Sequence, residues 1–173
     1  DLTVFVARRG NWLSRPYVCP QGTNSRHAAA LAAEFIRSLL RPGEKAVAII
    51  DTTSNGGLAD NLEEDAKDIC DVWRLGFAAD PMNEPDGIQC AFMRDRIWVN
   101  GAEFLETATI PRDEPELERE LVEPKQFFNK RGLLEVEPKK EIKKAERLGW
   151  SPDRADAFLL ACMEPPEHEA PRI

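Results

Sequence analysis

The sequence contains few of the residues that bind soft metal ions or form disulfides. Among its 173 residues there are two histidines and four cysteines, and the cysteines are scattered without a Cys-x-x-Cys pair. Zinc sites and disulfide frameworks need closely spaced Cys and His, so neither is expected, and the cysteines are predicted to be buried thiols. His27 lies in an alanine-rich segment and His168 in an acidic tail, so neither has a ligand-like neighbour.

Long apolar runs, nucleotide-binding motifs and an excess of positive charge are also missing. No apolar segment approaches the roughly 20 residues that cross a bilayer. Without G-x-x-x-x-G-K-[ST] or G-x-G-x-x-G, the Gly56-Gly57 pair is a weak indication of nucleotide binding. The net charge of −8 has the wrong sign for a general nucleic-acid binder. With 42% hydrophobic and 31% charged residues, the composition predicts one intracellular globular domain at residues 1–163 and an acidic, proline-rich tail at 164–173.

The residues that are present alternate between strand and helix signals, which predicts an α/β fold. Two strands at 2–9 and 12–19 should form a hairpin through Gly10-Asn11. Further strands are predicted at 47–51 and 72–77, with a second hairpin over 126–136 that turns at 129–132. Helices are predicted at 25–40, 57–70, 91–105, 114–121, 139–148 and 151–163, with a break or bend at residues 99–101.

A buried strand ends at Asp51. The five apolar residues from Ala46 to Ile50 predict a strand that is buried on both faces. In open α/β sheets the chemistry gathers beyond the carboxyl ends of strands, so Asp51 is a candidate site residue. The alternative is that Asp51 is an ordinary turn residue.

Two further carboxylates begin the last helix. Ser151 fits the N-cap and Pro152 the first turn, which places Asp153 and Asp156 on one face at i and i+3. Trp150 is expected to act as a hydrophobic staple. Two acids aimed at one point are typical of a divalent-metal site, although first-turn aspartates are also favoured by the helix dipole alone.

Together these segments resemble the C-terminal nuclease domain of the large terminase subunit of tailed bacteriophages. The resemblance rests on Asp51-Thr52-Thr53-x-x-Gly56, on Arg94 opening a helical segment, and on the run Leu148-Gly149-Trp150-Ser151-Pro152-Asp153-Arg154-Ala155-Asp156-Ala157. It extends from residue 1 to about residue 161. It implies a ribonuclease-H-like mixed sheet flanked by helices, related to Holliday-junction resolvases.

The resemblance also implies a site and a reaction. Asp51 and Asp156 match two acids that hold two Mg²⁺ or Mn²⁺ ions in the family, and Asp153 matches an accessory position one turn earlier. The family's first acid lies on a first strand that is expected upstream of Asp1, so we expect the native protein to extend further at its N-terminus. Carboxylates suit hard cations, and two ions can serve both ends of an in-line displacement. The implied reaction is metal-dependent cleavage of double-stranded viral DNA during packaging.

The implied partners are DNA, an N-terminal ATPase domain, a portal protein and a small terminase subunit, in the cytoplasm of a bacterial host. Between residues 125 and 154, nine basic and five acidic residues give a local charge of +4. The alternative is a solvated helix face with Glu–Lys pairs. We predict that this segment holds a phosphate backbone, through Lys130, Arg131, Lys139, Lys140, Lys143 and Arg154.

Two other functions remain open for the same residues. One is a resolvase-like nuclease that cuts branched DNA. The other is a catalytically inactive domain of the same fold, for DNA binding or protein interaction, whose acids serve only as caps. Phe127 and Phe128, beside the basic hairpin, are expected to pack beneath it rather than contact DNA.

Overall fold

A computed structural model describes residues 1–53 and 56–165 of the chain, which form a mixed α/β fold as predicted. The strands of this described part are β1 (Val4–Phe5), β2 (Arg8–Arg9), β3 (Trp12–Leu13), β4 (Tyr17–Val18), β5 (Ala46–Asp51), β6 (Cys70–Leu75), β7 (Gln126–Phe128) and β8 (Leu134–Val136). Its helices are α1 (Ser25–Leu39), α2 (Gly57–Ala66), α3 (Met93–Leu105), α4 (Pro115–Val122), α5 (Lys139–Ile142) and α6 (Asp153–Leu160). None of them is long and apolar enough to span a bilayer. Most of the predicted tail at 164–173, including His168, lies outside the described residues.

The parallel pair β5–β6, joined through α2, organises one half of the molecule. Ala46 pairs with Cys70 and Asp51 with Leu75, so the two strands run in register over their full length. Alanines of α1 and Leu62 of α2 pack together with Ile50 in one apolar cluster. The prediction that β5 is buried on both faces is wrong for the described chain. Only Ile50 is buried, because β6 is the one strand that pairs with β5 there.

The N-terminal hairpin has the predicted topology but not the predicted continuous strands. β1 pairs with β4, and β2 pairs with β3, both antiparallel. Between the two pairings the Ser14 hydroxyl accepts the Ala7 N–H at 2.9 Å and so takes the place of a backbone partner. Pro16 also lacks a backbone donor, which shortens the ladder further.

Two predicted helices end earlier than their sequence patterns indicate. α2 ends at Ala66 instead of residue 70, because Cys70 belongs to β6 and pairs with Ala46. α5 covers only Lys139–Ile142, and a turn closed by the Leu148 N–H on the Ile142 carbonyl replaces the rest. At the end of α2 strand pairing overrides helix propensity, and after α5 a local turn does so.

The predicted break at residues 99–101 does not occur, and α3 runs unbroken through Gly101. The glycine serves a close approach between α3 and α6. A Cβ built at this position would lie 2.2 Å from Leu159 Cδ2 and 3.4 Å from Leu159 Cβ. Leu159 is itself buried, so it has little room to move away.

We therefore expect Gly101→Ala to lower the free energy of unfolding by about 1–3 kcal/mol through overpacking. This loss should occur although alanine is the better helix former by about 1 kcal/mol. Chemical denaturation measures the change. The double variant Gly101→Ala with Leu159→Ala is the control, because removing the clash should make its loss smaller than the sum of the single losses. A stabilised Gly101→Ala protein would contradict this explanation.

Candidate active site

The three acids predicted from the sequence line one cavity of about 970 Å³. Asp51 is the last residue of β5, and Asp153 and Asp156 lie in the first turn of α6. The cavity runs between β1 and β5 and is closed along one side by α6. The carboxyl end of a parallel strand and the start of a buried helix thus face the same space.

Asp156 is the most deeply placed of the three acids, with 5% of its surface exposed. The ammonium of Lys139 lies 2.6 Å from Asp156 Oδ2, and Arg94 Nε lies 3.7 Å from Oδ1. Burial raises the pKa of Asp156, while the two cations oppose that shift. Within the described chain, Oδ1 accepts no hydrogen bond. It is therefore a buried oxygen available to a further cation.

Asp153 is held by the start of the chain. Its Oδ2 accepts the Leu2 N–H at 2.6 Å, and its Oδ1 accepts the Ser151 hydroxyl at 2.6 Å. Ser151 is therefore not the N-cap that the sequence predicted. α6 begins at Asp153 after Pro152, and the Asp153 N–H donates to the Ser151 carbonyl in a tight turn.

Asp51 is oriented by the turn that follows β5. Its Oδ1 accepts the Thr53 N–H at 3.0 Å and the Thr53 hydroxyl at 2.5 Å. The Thr53 hydroxyl in turn accepts the Phe77 N–H at 2.7 Å, which ties the turn to the segment after β6. Asp51 thus has the contacts of a turn residue, and it also faces the cavity. Ser54 and Asn55 of the Asp-Thr-Thr motif lie outside the described residues.

Lys139, predicted as a DNA contact, points into this site. Its ammonium lies 2.6 Å from Asp156 and 3.6 Å from Asp153, and 5.5 Å from the centre of the Phe77 ring. It therefore lies between the two carboxylates, within ion-pair distance of both. The all-oxygen donor set fits hard divalent cations such as Mg²⁺ and Mn²⁺.

The described acids do not form a complete set of metal ligands. Within residues 1–53 and 56–165, no three His, Cys, Asp or Glu side chains come close enough together to hold a metal ion. Mg²⁺ ordinarily binds through one or two carboxylates, with waters and substrate phosphates completing its shell. Asp156 and its neighbours therefore fit as a partial site that substrate and further ligands would complete.

Removing the Lys139 charge should strengthen cation binding. We expect Lys139→Met, which keeps the aliphatic stem, to bind Mn²⁺ at least about tenfold more tightly than the wild type, since a unit charge within about 4 Å of the ligands no longer competes. Calorimetric titration of both proteins measures the change. Lys140→Met, a substitution of the exposed neighbour, should have little effect. Unchanged or weaker binding by Lys139→Met would show that the ammonium does not compete for this position.

The sequence analysis missed Glu120 of α4, which is fully buried. Its Oε2 accepts the N–H groups of Arg154 and Ala155 at 2.7 and 2.9 Å. Its Oε1 accepts the indole N–H of Trp150 at 2.9 Å and the Arg154 guanidinium at 3.0 Å. Burial raises the pKa of Glu120, opposed by these hydrogen bonds. A carboxylate on a neighbouring helix therefore caps the helix that carries Asp153 and Asp156.

Glu120 also changes the roles predicted for its partners. Trp150 is a hydrogen-bond donor to Glu120, with the Arg119 guanidinium 4.6 Å from the centre of its ring, and is not simply a staple. Arg154, a predicted DNA contact, forms an ion pair with Glu120. The sequence offered one indication of this role, which is that Glu120 follows Leu117 by three residues. The structure shows both residues buried in α4.

The remaining predicted DNA contacts lie at the surface. The β7–β8 hairpin forms as predicted, with Lys130 and Arg131 exposed at its tip. Lys140 is exposed, and Lys143 is partly buried and contacts Asp1. Phe128 of this hairpin is 68% exposed and Phe127 is also exposed, so the expectation that they pack beneath it is wrong. The hairpin therefore presents both cations and aromatic rings to solvent.

Comparisons with known proteins find similar structures but no similar sequences. No protein-family model matches the chain, and no relative is found among curated protein sequences. Among solved structures, the nuclease domain of the large terminase subunit gp2 of bacterial virus Sf6 matches with a TM-score of 0.74, at 18% identity over 96% of this chain and 84% of that one. A lysine-to-alanine mutant of that domain with manganese and beta-thujaplicinol matches with a TM-score of 0.79, at 17% identity over 96% and 84%. A mutant with calcium matches with a TM-score of 0.75, at 17% identity over 95% and 83%.

These similarities cover nearly the whole chain and confirm the predicted fold class. The chain has the same mixed α/β fold as that terminase domain. At 17–18% identity the likeness concerns the fold alone, and the chemistry has to be argued from the site itself.

Proposed function

We propose that this protein is a metal-dependent endonuclease that cleaves double-stranded DNA, as the nuclease part of a large terminase subunit acting in viral genome packaging. The observation that carries the proposal is the buried Asp156 carboxylate, which faces the same cavity as Asp51 and Asp153. A carboxylate is costly to bury unless a cation compensates it; Lys139 and Arg94 do so in this structure, and a bound divalent ion would do so during the reaction. The fold shared with a terminase nuclease domain, which has been solved with manganese and with calcium, supports the choice of reaction.

Each acid would have a defined role in this reaction. Asp51 and Asp156 would be the ligands of two Mg²⁺ or Mn²⁺ ions, and Asp153 would be an accessory ligand. Bound divalent ions would activate water and stabilise the leaving oxygen of the phosphodiester. Thr53 orients Asp51, and Ser151 with the Leu2 N–H orients Asp153, so these two carboxylates are held in place before substrate arrives.

The exposed cations of the hairpin would hold the DNA backbone near this cavity. Contacts to phosphate position the duplex without reading its sequence. Lys140 and Lys143 follow the hairpin on and after α5, the helix that begins with Lys139. This arrangement supports cleavage without strict sequence preference. By the same resemblance, we propose an ATPase domain, a portal protein and a small terminase subunit as partners, in the cytoplasm of a bacterial host.

Reversing both hairpin charges should weaken DNA binding uniformly across sequences. For Lys130→Glu with Arg131→Glu, we expect the salt dependence of log K for duplex DNA to become shallower by about 2, because about one counterion is released per phosphate contact. Fluorescence anisotropy at several salt concentrations measures this slope. Reversal of exposed Arg41 and Lys67, which lie after α1 and α2, is the charge-matched control. An unchanged slope would remove the hairpin tip from the DNA interface.

The reaction itself is tested by cleavage of supercoiled plasmid with Mn²⁺, Mg²⁺ or EDTA. The proposal predicts nicked and linear products with either metal and none with EDTA. A parallel assay with a four-way junction and a matched duplex separates this function from that of a resolvase. Junction-selective cleavage would favour the resolvase-like nuclease. Neither cleavage nor calorimetric Mn²⁺ binding would favour the inactive DNA-binding or interaction domain.

A further inference from the structure

The first turn of α6 carries both Asp153 and Asp156, and its backbone N–H groups are satisfied in two different ways. The N–H groups of these two acids donate to carbonyls of the turn that precedes them, at 2.8 and 2.9 Å. The N–H groups of Arg154 and Ala155, which lie between the acids, both donate to Glu120 Oε2, at 2.7 and 2.9 Å. The peptide groups that separate the two acids are therefore held from another helix, α4.

The position of the Asp156 carboxylate depends on where this turn lies. The carboxylate is one methylene from the backbone, so it moves with the helix that carries it. Asp153 accepts two hydrogen bonds at its side chain, whereas within the described residues the Asp156 carboxylate meets the cations of Lys139 and Arg94. A lysine stem is flexible and can follow a displaced carboxylate, so this ion pair does not fix its position.

Glu120 is firmly held by its surroundings. It is fully buried, and its Oε1 accepts the Trp150 indole N–H at 2.9 Å and the Arg154 guanidinium at 3.0 Å. Leu117, one turn earlier on α4, belongs to the same apolar cluster as Phe158 of α6. α6 has only eight residues, and a helix this short depends on tertiary contacts for its position. A hydrogen-bonded carboxylate on a packed helix gives α6 a fixed support.

Glu120 acts on the site through α6 and is not itself placed to bind the proposed ions. Among the described residues, those that line the cavity include Asp153 and Asp156 but not Glu120. The Arg154 guanidinium pairs with the Glu120 carboxylate, so this support adds no net charge behind the acids. Its influence on the acids is therefore mainly geometric.

We propose that Glu120 is a positioning residue of the active site. By holding the peptide groups of Arg154 and Ala155, it fixes the turn that presents Asp153 and Asp156 to a divalent cation. The inference rests on the proposed nuclease function, and it adds a role beyond folding stability. A displacement of about 1 Å can lower a rate about 100-fold, so a turn without this support weakens the chemistry although the chain stays folded.

Two substitutions of Glu120 separate the reach of the side chain from its charge. Glu120→Asp keeps the charge but is one methylene shorter, so its carboxylate no longer reaches both N–H groups of α6. Glu120→Gln keeps the length and one oxygen that can accept both. In calorimetric titration we expect Glu120→Asp to bind Mn²⁺ about tenfold more weakly than the wild type. Glu120→Gln should stay within about threefold of the wild type.

Plasmid cleavage at saturating Mn²⁺, below the melting temperature of each variant, gives a second measurement. For Glu120→Asp we expect kcat to fall at least about tenfold while KM for DNA stays within about twofold, because the exposed cations of the hairpin are not moved. Ile69→Ala is the stability control. Ile69 packs against the apolar cluster of α1, α2 and β5, whose described members include no residue of α6. This variant should unfold more easily but keep the wild-type Mn²⁺ affinity and kcat.

The possible outcomes separate the positioning role from the proposed function. Wild-type Mn²⁺ affinity and kcat in Glu120→Asp would overturn the positioning role and leave the nuclease function intact. An equal loss in Ile69→Ala would also overturn it, because the effect would then follow stability alone. A wild-type protein that neither binds Mn²⁺ nor cleaves plasmid would overturn both.

A milder variant covers the case in which Glu120→Asp does not fold. Trp150→Phe removes one donor to Oε1 and leaves Glu120 freer to move. It should bind Mn²⁺ about threefold more weakly than the wild type. Unchanged binding by Trp150→Phe would then overturn the positioning role.

Discussion

Asp156→Asn is expected to lose metal-dependent DNA cleavage by at least about 100-fold while the protein stays folded. The asparagine keeps the volume of the buried side chain but cannot supply a charged ligand, and loss of one preorganised electrostatic group commonly costs this much. The free energy of unfolding in EDTA should stay within about 1 kcal/mol of the wild type, because Lys139, whose side chain is 30% exposed, can turn to water and a buried carboxylate charge is removed.

Measuring Mn²⁺ binding distinguishes the loss of a metal-ligating side chain from a general defect of the folded protein. Saturating Mn²⁺ should stabilise the wild type by about 2.7 kcal/mol at 100 times the dissociation constant. Asp156→Asn should show little of this stabilisation. Asp68→Asn, which changes an exposed acid after α2, should cleave and bind like the wild type. Wild-type cleavage by Asp156→Asn would remove Asp156 from the site and leave it a structural residue.

Glu120→Ala is expected to cause the largest loss of stability, about 3–5 kcal/mol, because it breaks a buried ion pair and leaves its partners without an acceptor. The N–H groups of Arg154 and Ala155 and the indole of Trp150 would all lose the carboxylate that accepts them. For a chain of this size the loss corresponds to a fall in melting temperature of roughly 6–20 °C. Urea denaturation and thermal melting measure both quantities.

Two further variants sharpen the Glu120 experiment. Glu120→Gln keeps the shape and some acceptor capacity, so its loss should be smaller than that of Glu120→Ala. Glu118→Ala, an exposed substitution on the same helix, should stay within about 0.5 kcal/mol of the wild type. If Glu120→Ala were as stable as Glu118→Ala, the cap on α6 would not contribute to folding.

The sequence pattern predicted elements more reliably than it predicted their ends. α1, α3 and the β7–β8 hairpin follow directly from periodicity and turn residues, which act over a few neighbouring positions. The end of α2 depends on a partner distant in sequence, whereas the end of α5 and the break in the N-terminal hairpin depend on turns and side-chain hydrogen bonds between near neighbours. Cys70 becomes a strand residue only because Ala46 lies beside it.

At the candidate site, too, local motifs indicated some residues, whereas others depend on tertiary contacts. Asp51, Asp153 and Asp156 were chosen from local motifs, and their shared cavity is consistent with that choice. The positions of Lys139 and Arg154 could not be predicted, because a lysine or arginine in a charged segment has the same local pattern whether it faces solvent or a buried acid. Glu120 was missed for the same reason, since only tertiary contacts reveal that it meets the start of α6.

The sequence by itself determined the α/β class and most of the helices and strands, because these depend on composition and short-range periodicity, and together with the family resemblance it pointed to three candidate carboxylates. The tertiary structure alone decided which cations face the acids, which side chain caps α6 and, within the described residues, that β5 pairs with β6 alone. Those features depend on contacts between segments up to about 150 residues apart, such as Leu2 with Asp153. The residues next to each of these positions do not indicate such contacts, so only the folded chain shows them.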